Sequence, residues 1–286
     1  TALRRSLLAT LASPRFLFRE PGDADPFSTA ARISFGLWDS IPDEALLTAA
    51  RQGRLTTPAE IRGQAERMTA DRRTRAKLRD FLFAWLRVDL GPELVKDPTR
   101  YPEFTRDVAA DLRTSLEILL EEVAVSSGDF RRLFTTDEVP LNGRLAPLYG
   151  VTLPAEADFT TIRLDEGRRG GVLSHPYLMS VLSYPGSSSP IHRGVFLART
   201  VLGNVLKPPR QAVAPLAAEQ APDLTTRERV AAQTAATACQ SCHTMINPLG
   251  FALEEFDAIG RYRSVERVGD LEKPVNARSE EHTSEL

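Results

Sequence analysis

Cysteine and long apolar runs are scarce in this sequence, and their scarcity excludes whole classes of protein. The chain has only two cysteines, so a scaffold held together by several disulfides is excluded. No apolar run reaches the roughly 18 residues that a membrane-spanning helix requires. The formal net charge is −2, which argues against a nucleic-acid partner. This balance is typical of a globular protein with a hydrophobic core.

Most familiar catalytic motifs are also missing. The sequence has no G-x-S-x-G elbow, no phosphate-binding glycine loop and no second cluster of metal ligands. Glu254 and Glu255 are neighbours, so on a helix they point to different sides and make a poor acid/base pair. One motif is left to carry the chemistry.

That motif contains both cysteines, at Cys239 and Cys242, with His243 directly behind. C-x-x-C-H is the spacing that attaches a c-type haem. One helical turn brings the two thiols to one side of the helix, where they can add to the two vinyl groups of a porphyrin. The next imidazole then ligates the iron. The spacing therefore predicts one covalent haem c, with His243 as the proximal ligand.

Three other readings of the motif stay open at this point. A structural disulfide between Cys239 and Cys242 leaves His243 unexplained. A zinc site usually needs four nitrogen or sulfur ligands, and the chain has no second Cys/His pair. A thioredoxin-like redox pair needs a strand followed by a helix, whereas this region has a helical pattern.

Hydrophobic periodicity predicts a mainly α fold. The longest amphipathic pattern runs over 104–125, and Thr57–Glu60 has the capping-box spacing that begins a helix. The same spacing at Thr225–Glu228 predicts the start of the helix that carries the C-x-x-C-H motif. A short strand is expected over 160–164.

Changes in the residue pattern along the chain, from helical periodicity to short strands and loops, divide it into two helical modules with flanking segments. Residues 1–20 read as the end of a preceding helical module, and 21–150 as one helical module. Residues 151–277 form the expected haem c module, with long loops. The last segment, 278–286, matches a translated sequencing-adapter oligonucleotide, so we expect it to be non-native.

Several stretches resemble a known family. Residues 170–176, 189–194 and 239–263 are similar to the haem-bearing module of planctomycete-type cytochrome c proteins. Residues 31–44 and 141–150 are similar to the helical module that precedes it in that family. These are large exported bacterial proteins built from several domains of unknown function. The resemblance implies an exported, cytochrome-c-like haem protein with a redox role, and it supplies no substrate.

The residues after the motif are candidates for the haem surroundings. In cytochromes c a proline carbonyl near the motif often accepts the Nδ1–H of the proximal histidine, and Pro248 is the nearest such residue. A group of apolar residues can wall the porphyrin or serve as ordinary core. This group consists of Leu249, Phe251, Phe256 and Ile259. Arg261 and Arg263 can pair with the haem propionates or be simple surface charges.

The sixth, distal iron ligand has no motif of its own. Met245 follows His243 by two residues on the same turn, so it cannot reach the opposite face of a flat ring. The remaining candidates are His175, Met179, His192 and a residue from a natural chain beyond Ala277. His192 stands where the family more often has a basic residue. His175 lies next to Pro176 in the segment that resembles the haem module, so we predict His175 as the distal ligand.

These features predict one-electron transfer through a single haem c as the function. The alternatives are a haem-dependent peroxidase or oxidoreductase with an open sixth position, and a structural surface-assembly module that carries a haem. Haem c is attached outside the bacterial cytoplasm, so we expect an export signal ahead of Thr1 and a periplasmic or cell-surface location. The expected partner is a redox protein or a small-molecule electron donor or acceptor.

Overall fold

The computed structural model describes residues 1–17, 25–88, 94–123, 129–164, 167, 169–207 and 221–279. The helices are α1 Ala2–Leu11, α2 Pro14–Leu17, α3 Pro26–Trp38, α4 Glu44–Arg51, α5 Pro58–Thr69, α6 Arg72–Trp85, α7 Arg106–Glu121, α8 Arg132–Thr135, α9 Ala146–Tyr149, α10 Pro176–Val181, α11 Pro190–Phe196, α12 Thr226–Gln233 and α13 Thr237–Phe251. The strands are β1 Glu138–Leu141, β2 Thr160–Arg163, β3 Val265–Val268 and β4 Leu271–Pro274. About 53% of the described residues are helical, which confirms the predicted mainly α fold.

The chain folds into two compact units, residues 1–80 and 81–286. The boundary between them falls inside α6. This boundary differs from the module boundary predicted near residue 150 from the change in residue pattern. The predicted modules stay a prediction. Within the described residues, no helix combines the length and the apolar character needed to cross a membrane.

The first unit has a small core centred on Trp38 of α3 and Met68 of α5. Both side chains are buried, and Trp38 Nε1 donates a hydrogen bond to the Met68 carbonyl at 3.1 Å. The Arg73 guanidinium lies 3.4 Å from the centroid of the Trp38 ring, a cation–π contact. The predicted capping box at Thr57–Glu60 is confirmed at the start of α5.

The second unit is organised partly around α7, which begins at the Thr105 cap. The predicted apolar face of this helix is buried and packs against β1 and α10. Strand β1 pairs with β2 in an antiparallel ladder in which Val139 lies opposite Ile162. The expected strand over 160–164 is therefore confirmed, while its partner β1 was not predicted.

Helices α11 and α13 pack so closely that their backbones meet at two glycines. A Cβ atom at Gly194 of α11 would overlap the carbonyl oxygen of Ile246, and one at Gly250 of α13 would overlap the carbonyl oxygen of Pro190. Any larger side chain would push the two helices apart, because both obstacles are backbone atoms. The two glycines thus fix α13, the helix that carries the C-x-x-C-H motif, against α11.

The capping box predicted at Thr225–Glu228 is confirmed, but the single helix expected beyond it is wrong. Helix α12 ends at Gln233, and α13 begins at Thr237. The Thr234 hydroxyl donates to the Val230 carbonyl at 2.8 Å, a local bond of the kind that bends helices. The Gln240 side-chain amide then donates to the Thr234 carbonyl at 2.6 Å, which ties the start of α13 to the end of α12.

The predicted non-native tail is described only at its beginning. The Arg278 carbonyl accepts a hydrogen bond from Arg227 Nη1 at 2.6 Å. Residues 280–286 lie outside the described residues. The prediction for this tail therefore stays a prediction.

Candidate functional site

The C-x-x-C-H motif lies in the first half of α13. Cys239 and Cys242 are three positions apart on this helix, so their side chains project from the same side, one turn apart. Both are free thiols and both are partly exposed. His243 follows on the same turn and is half-buried. The helix therefore presents two accessible thiols and an imidazole together, as the spacing predicted.

The His243 ring is held by a side chain one helical turn further on. Its Nδ1 lies 2.9 Å from Asn247 Oδ1. The Asn247 amide in turn donates from Nδ2 to Thr234 Oγ1 at 2.8 Å. Pro248, the residue proposed from sequence as the acceptor, uses its carbonyl within the helix, where it accepts from the Ala252 N–H at 3.2 Å. The acceptor for His243 is thus a side-chain amide.

These residues fit the chemistry of a c-type haem. The two thiols are not joined to each other and are open enough to react. His243 Nδ1 is engaged with Asn247, and within the described ranges His243 Nε2 has no hydrogen-bond partner. A neutral imidazole whose Nδ1 is hydrogen-bonded offers Nε2 to a metal. Among the described residues, no group of three or more His, Cys, Asp or Glu side chains is placed to hold a metal ion.

The predicted apolar wall is packed into the second unit. Phe251, Phe256 and Ile259 are buried, and Leu249 is half-buried. The Arg227 guanidinium lies 4.2 Å from the centroid of the Phe251 ring, and the Phe256 ring meets the Tyr262 ring edge-on. These contacts are those of ordinary core residues, the second of the two readings offered for this group. The haem-wall role stays a prediction.

Arg261 and Arg263, the candidates for haem propionates, already have carboxylate partners. Arg261 Nε lies 3.1 Å from Asp257 Oδ2, and its Nη1 lies 2.8 Å from Glu103 Oε1. Arg263 Nη2 lies 3.0 Å from Glu254 Oε2. A propionate would have to compete with these ion pairs, so the structure gives both arginines a role in holding the polypeptide.

A buried ion pair joins α11 to the segment that follows α13, and it was not predicted from the sequence. Arg193 of α11 is 0% exposed, and its Nη1 lies 3.4 Å from Glu254 Oε1. Glu254 is also buried, and its Oε2 accepts from Ser188 Oγ at 2.9 Å as well as from Arg263. Glu254 therefore serves as a buried counter-ion to two arginines.

The same guanidinium holds the backbone that follows α13. Arg193 Nη1 donates to the carbonyls of Leu253 and Phe256 at 2.7 and 2.6 Å, and Nη2 donates to the carbonyl of Asp257 at 2.8 Å. Burial lowers the pKa of Arg193 to about 10, which still leaves it charged at neutral pH. Burial raises the pKa of Glu254, while the charges of Arg193 and Arg263 oppose that rise.

His175, the predicted distal ligand, is buried at the start of α10. Its Nδ1 accepts from the Tyr177 N–H at 3.2 Å, and its Nε2 lies 3.2 Å from Ser115 Oγ of α7. Ser115 Oγ donates its proton to the Pro140 carbonyl at 2.6 Å, so Nε2 carries the imidazole proton and donates to Ser115. Burial, together with the charge of Arg169, lowers the pKa of His175 to about 3.

Both nitrogens of His175 are thus committed to partners on α7 and α10 rather than on α13. To bind iron, Nε2 would have to lose its proton and its bond to Ser115. The distal assignment stays a prediction, and these bonds weigh against it.

The other two distal candidates within the described residues, Met179 and His192, are packed against the rest of the second unit. Met179 is 0% exposed inside the second unit. The His192 ring lies with its centroid 5.0 Å from that of Tyr184, and burial lowers the pKa of His192. Met245, which shares a turn with His243 and was already excluded as a distal ligand, is 41% exposed on α13.

Two family models match separate parts of the chain. Residues 25–151 match PSD4, described as a protein of unknown function (DUF1592), and residues 169–266 match PSCyt3, described as a protein of unknown function (DUF1588). The second match contains the whole of α13. No curated protein and no solved structure matches the chain. The predicted resemblance to proteins built of domains of unknown function is confirmed at that level.

Proposed function

We propose that this chain is part of an exported bacterial haem c protein that transfers electrons through one covalently attached haem. One observation carries the proposal. Helix α13 holds two free, partly exposed thiols one turn apart, followed by an imidazole whose Nδ1 is already engaged. This is the donor set that a c-type haem uses.

Each residue of the site has a defined task in this proposal. Cys239 and Cys242 would hold the porphyrin through two thioether bonds. His243 would bind the iron through Nε2. The haem supplies a one-electron couple at its iron. The close approach of α11 to α13 at Gly194 and Gly250 fixes the position of the helix that carries the three side chains.

The location and the partner follow from the cofactor. Haem c is attached outside the bacterial cytoplasm, so we propose a periplasmic or cell-surface location and an electron donor or acceptor found there, either a redox protein or a small molecule. The name of the matching model PSCyt3 points towards a planctomycete cytochrome and supports this proposal.

A second candidate function is a haem-dependent peroxidase or oxidoreductase with an open sixth position. The observation that favours it concerns the distal side. His175 has both ring nitrogens in hydrogen bonds, Met179 is fully buried and His192 packs on Tyr184. An iron without a protein ligand on that side is free to bind a small oxidant.

Spectroscopy of the matured protein tests these functions. The chain would be produced with an added export signal alongside a haem-maturation system. For electron transfer we expect a low-spin spectrum, one reversible one-electron wave and an unchanged spectrum after addition of hydrogen peroxide. High-spin iron that consumes peroxide would contradict electron transfer and establish the second candidate.

A further inference from the structure

We propose that Asn247 and Thr234 are positioning residues that decide which nitrogen of His243 binds the iron and tune the reduction potential of the haem. The inference rests on the proposed function and deepens it, because it assigns the regulation of that same site. It concerns the hydrogen bond between His243 and Asn247, and the bond from Asn247 to Thr234, both residues outside the C-x-x-C-H motif.

The three side chains form a continuous chain of hydrogen bonds. His243 Nδ1 lies 2.9 Å from Asn247 Oδ1, and Asn247 Nδ2 lies 2.8 Å from Thr234 Oγ1. The Thr234 hydroxyl ends the chain on the Val230 carbonyl at 2.8 Å. We call this set of contacts the Asn247–Thr234 relay.

The polarity of the relay follows from its last bond. A hydroxyl has a single proton, and Thr234 gives it to the Val230 carbonyl, which can only accept. Thr234 Oγ1 must then accept from the amide of Asn247, so the Asn247 carbonyl oxygen faces His243. A carbonyl oxygen facing Nδ1 requires a proton on that nitrogen. The lone pair of the neutral imidazole is then on Nε2, where the iron binds.

The fold explains why these residues meet. Asn247 lies four positions after His243 on α13, so the two side chains are neighbours on one helix face. Thr234 is the cap residue that ends α12, and it is 3% exposed. The bond from Gln240 to the Thr234 carbonyl keeps α12 beside the first turn of α13. The break between the two helices thus places the Thr234 hydroxyl within reach of Asn247.

Because a side chain accepts the hydrogen bond from His243 Nδ1, a single substitution can change the reduction potential of the iron. An acceptor on Nδ1–H makes the imidazole a more basic ligand, which favours ferric over ferrous iron. Removing a partner of this kind typically costs about 10- to 100-fold in metal affinity or activity. In this chain the acceptor is the Asn247 amide, which a single substitution can remove or strengthen.

Reduction potentials of holoprotein variants test the relay. Asn247→Leu removes the acceptor and should favour ferrous iron about tenfold, an upward shift of about 59 mV for one electron. Asn247→Asp replaces the amide with a charged acceptor and should shift the potential downward. Thr234→Val leaves the amide free to flip its nitrogen towards His243, so it should shift the potential upward, whereas Thr234→Ser keeps the hydroxyl and should leave it unchanged.

Thr244→Val is the matched control. The Thr244 hydroxyl donates to the Gln240 carbonyl at 2.9 Å, so this change deletes the same type of hydroxyl-to-helix bond on α13, next to His243, without removing a partner of Asn247. Its potential should equal that of the wild type. If Asn247→Leu and Thr234→Val also keep the wild-type potential while folding normally, the relay has only a structural role and the inference is overturned. The Thr234 pair keeps the test decisive if Asn247 variants fail to mature.

Failure of the proposed function is a separate result. If the matured wild-type chain carries no haem, the proposed function fails. The relay is then tested on the haem-free chain 1–286 by heteronuclear NMR of the imidazole nitrogens. The relay predicts His243 protonated on Nδ1 in the wild type, and a mixture of the two tautomers in Asn247→Leu. Protonation of wild-type His243 on Nε2 would overturn the inference.

Discussion

Replacing Arg193 with alanine is expected to lower the free energy of unfolding of the unit 81–286 by about 3–5 kcal/mol, the usual cost of leaving one partner of a buried ion pair alone. Glu254 would keep its burial but lose one of its two cationic neighbours. The carbonyls of residues 253, 256 and 257 would also lose their donor. Chemical denaturation of the wild type and the variant measures the difference.

Two further variants sharpen this test. Arg131→Ala is the surface control, because Arg131 pairs with Asp129 at 2.9 Å but its side chain is 87% exposed. It should cost less than about 1 kcal/mol. The double change Arg193→Met with Glu254→Leu removes both charges and should recover part of the stability. If Arg193→Ala is no more harmful than Arg131→Ala, the buried pair does not hold the segment after α13.

Acidification is expected to destabilise the same unit through His175. Its pKa is lowered to about 3 in the folded protein, against an ordinary value of 6.5. Unfolding therefore takes up a proton below about pH 6.5, and the stability that the neutral imidazole contributes is lost as the pH falls towards 3. For one such proton, the free energy of unfolding should drop by about 2 kcal/mol between pH 7 and pH 5.

The variant His175→Asn isolates this contribution. Asparagine is a good helix cap, so its side chain can still accept from the Tyr177 N–H at the start of α10, but it does not titrate. Averaged between pH 7 and pH 5, the pH dependence of unfolding should be shallower in the variant by about 1 kcal/mol per pH unit. Parallel curves for the two proteins would show that His175 is accessible to protons in the fold, as a ligand facing an open distal site would be.

The features that were predictable from sequence are local ones. The motif at Cys239, Cys242 and His243, the capping boxes at Thr57 and Thr225 and the apolar face of α7 all depend on spacings of three or four residues. Spacing of this kind translates directly into side-chain position on a helix. Asn247, four positions after His243, could have been found by the same rule.

The features that were missed depend on contacts between distant parts of the chain. Arg193 and Glu254 are 61 positions apart, and nothing local marks either as buried. Likewise, the glycine-to-carbonyl contacts between α11 and α13 appear only once both helices are placed. His175 was assigned from its place in a matching segment, whereas its partners come from α7 and its own helix. The similarity of that segment to the family could not show that both ring nitrogens of His175 are hydrogen-bonded.

The central claim is that Cys239 and Cys242 carry one covalent haem with His243 as its axial ligand, and intact-mass measurement of the denatured protein tests it most directly. The chain would be exported and matured beside its Cys239→Ala/Cys242→Ala double variant. We predict one haem per wild-type chain after denaturation, on a peptide containing the two cysteines, and none on the double variant. A matured wild-type chain without covalent haem, or a double variant that retains it, would contradict the account.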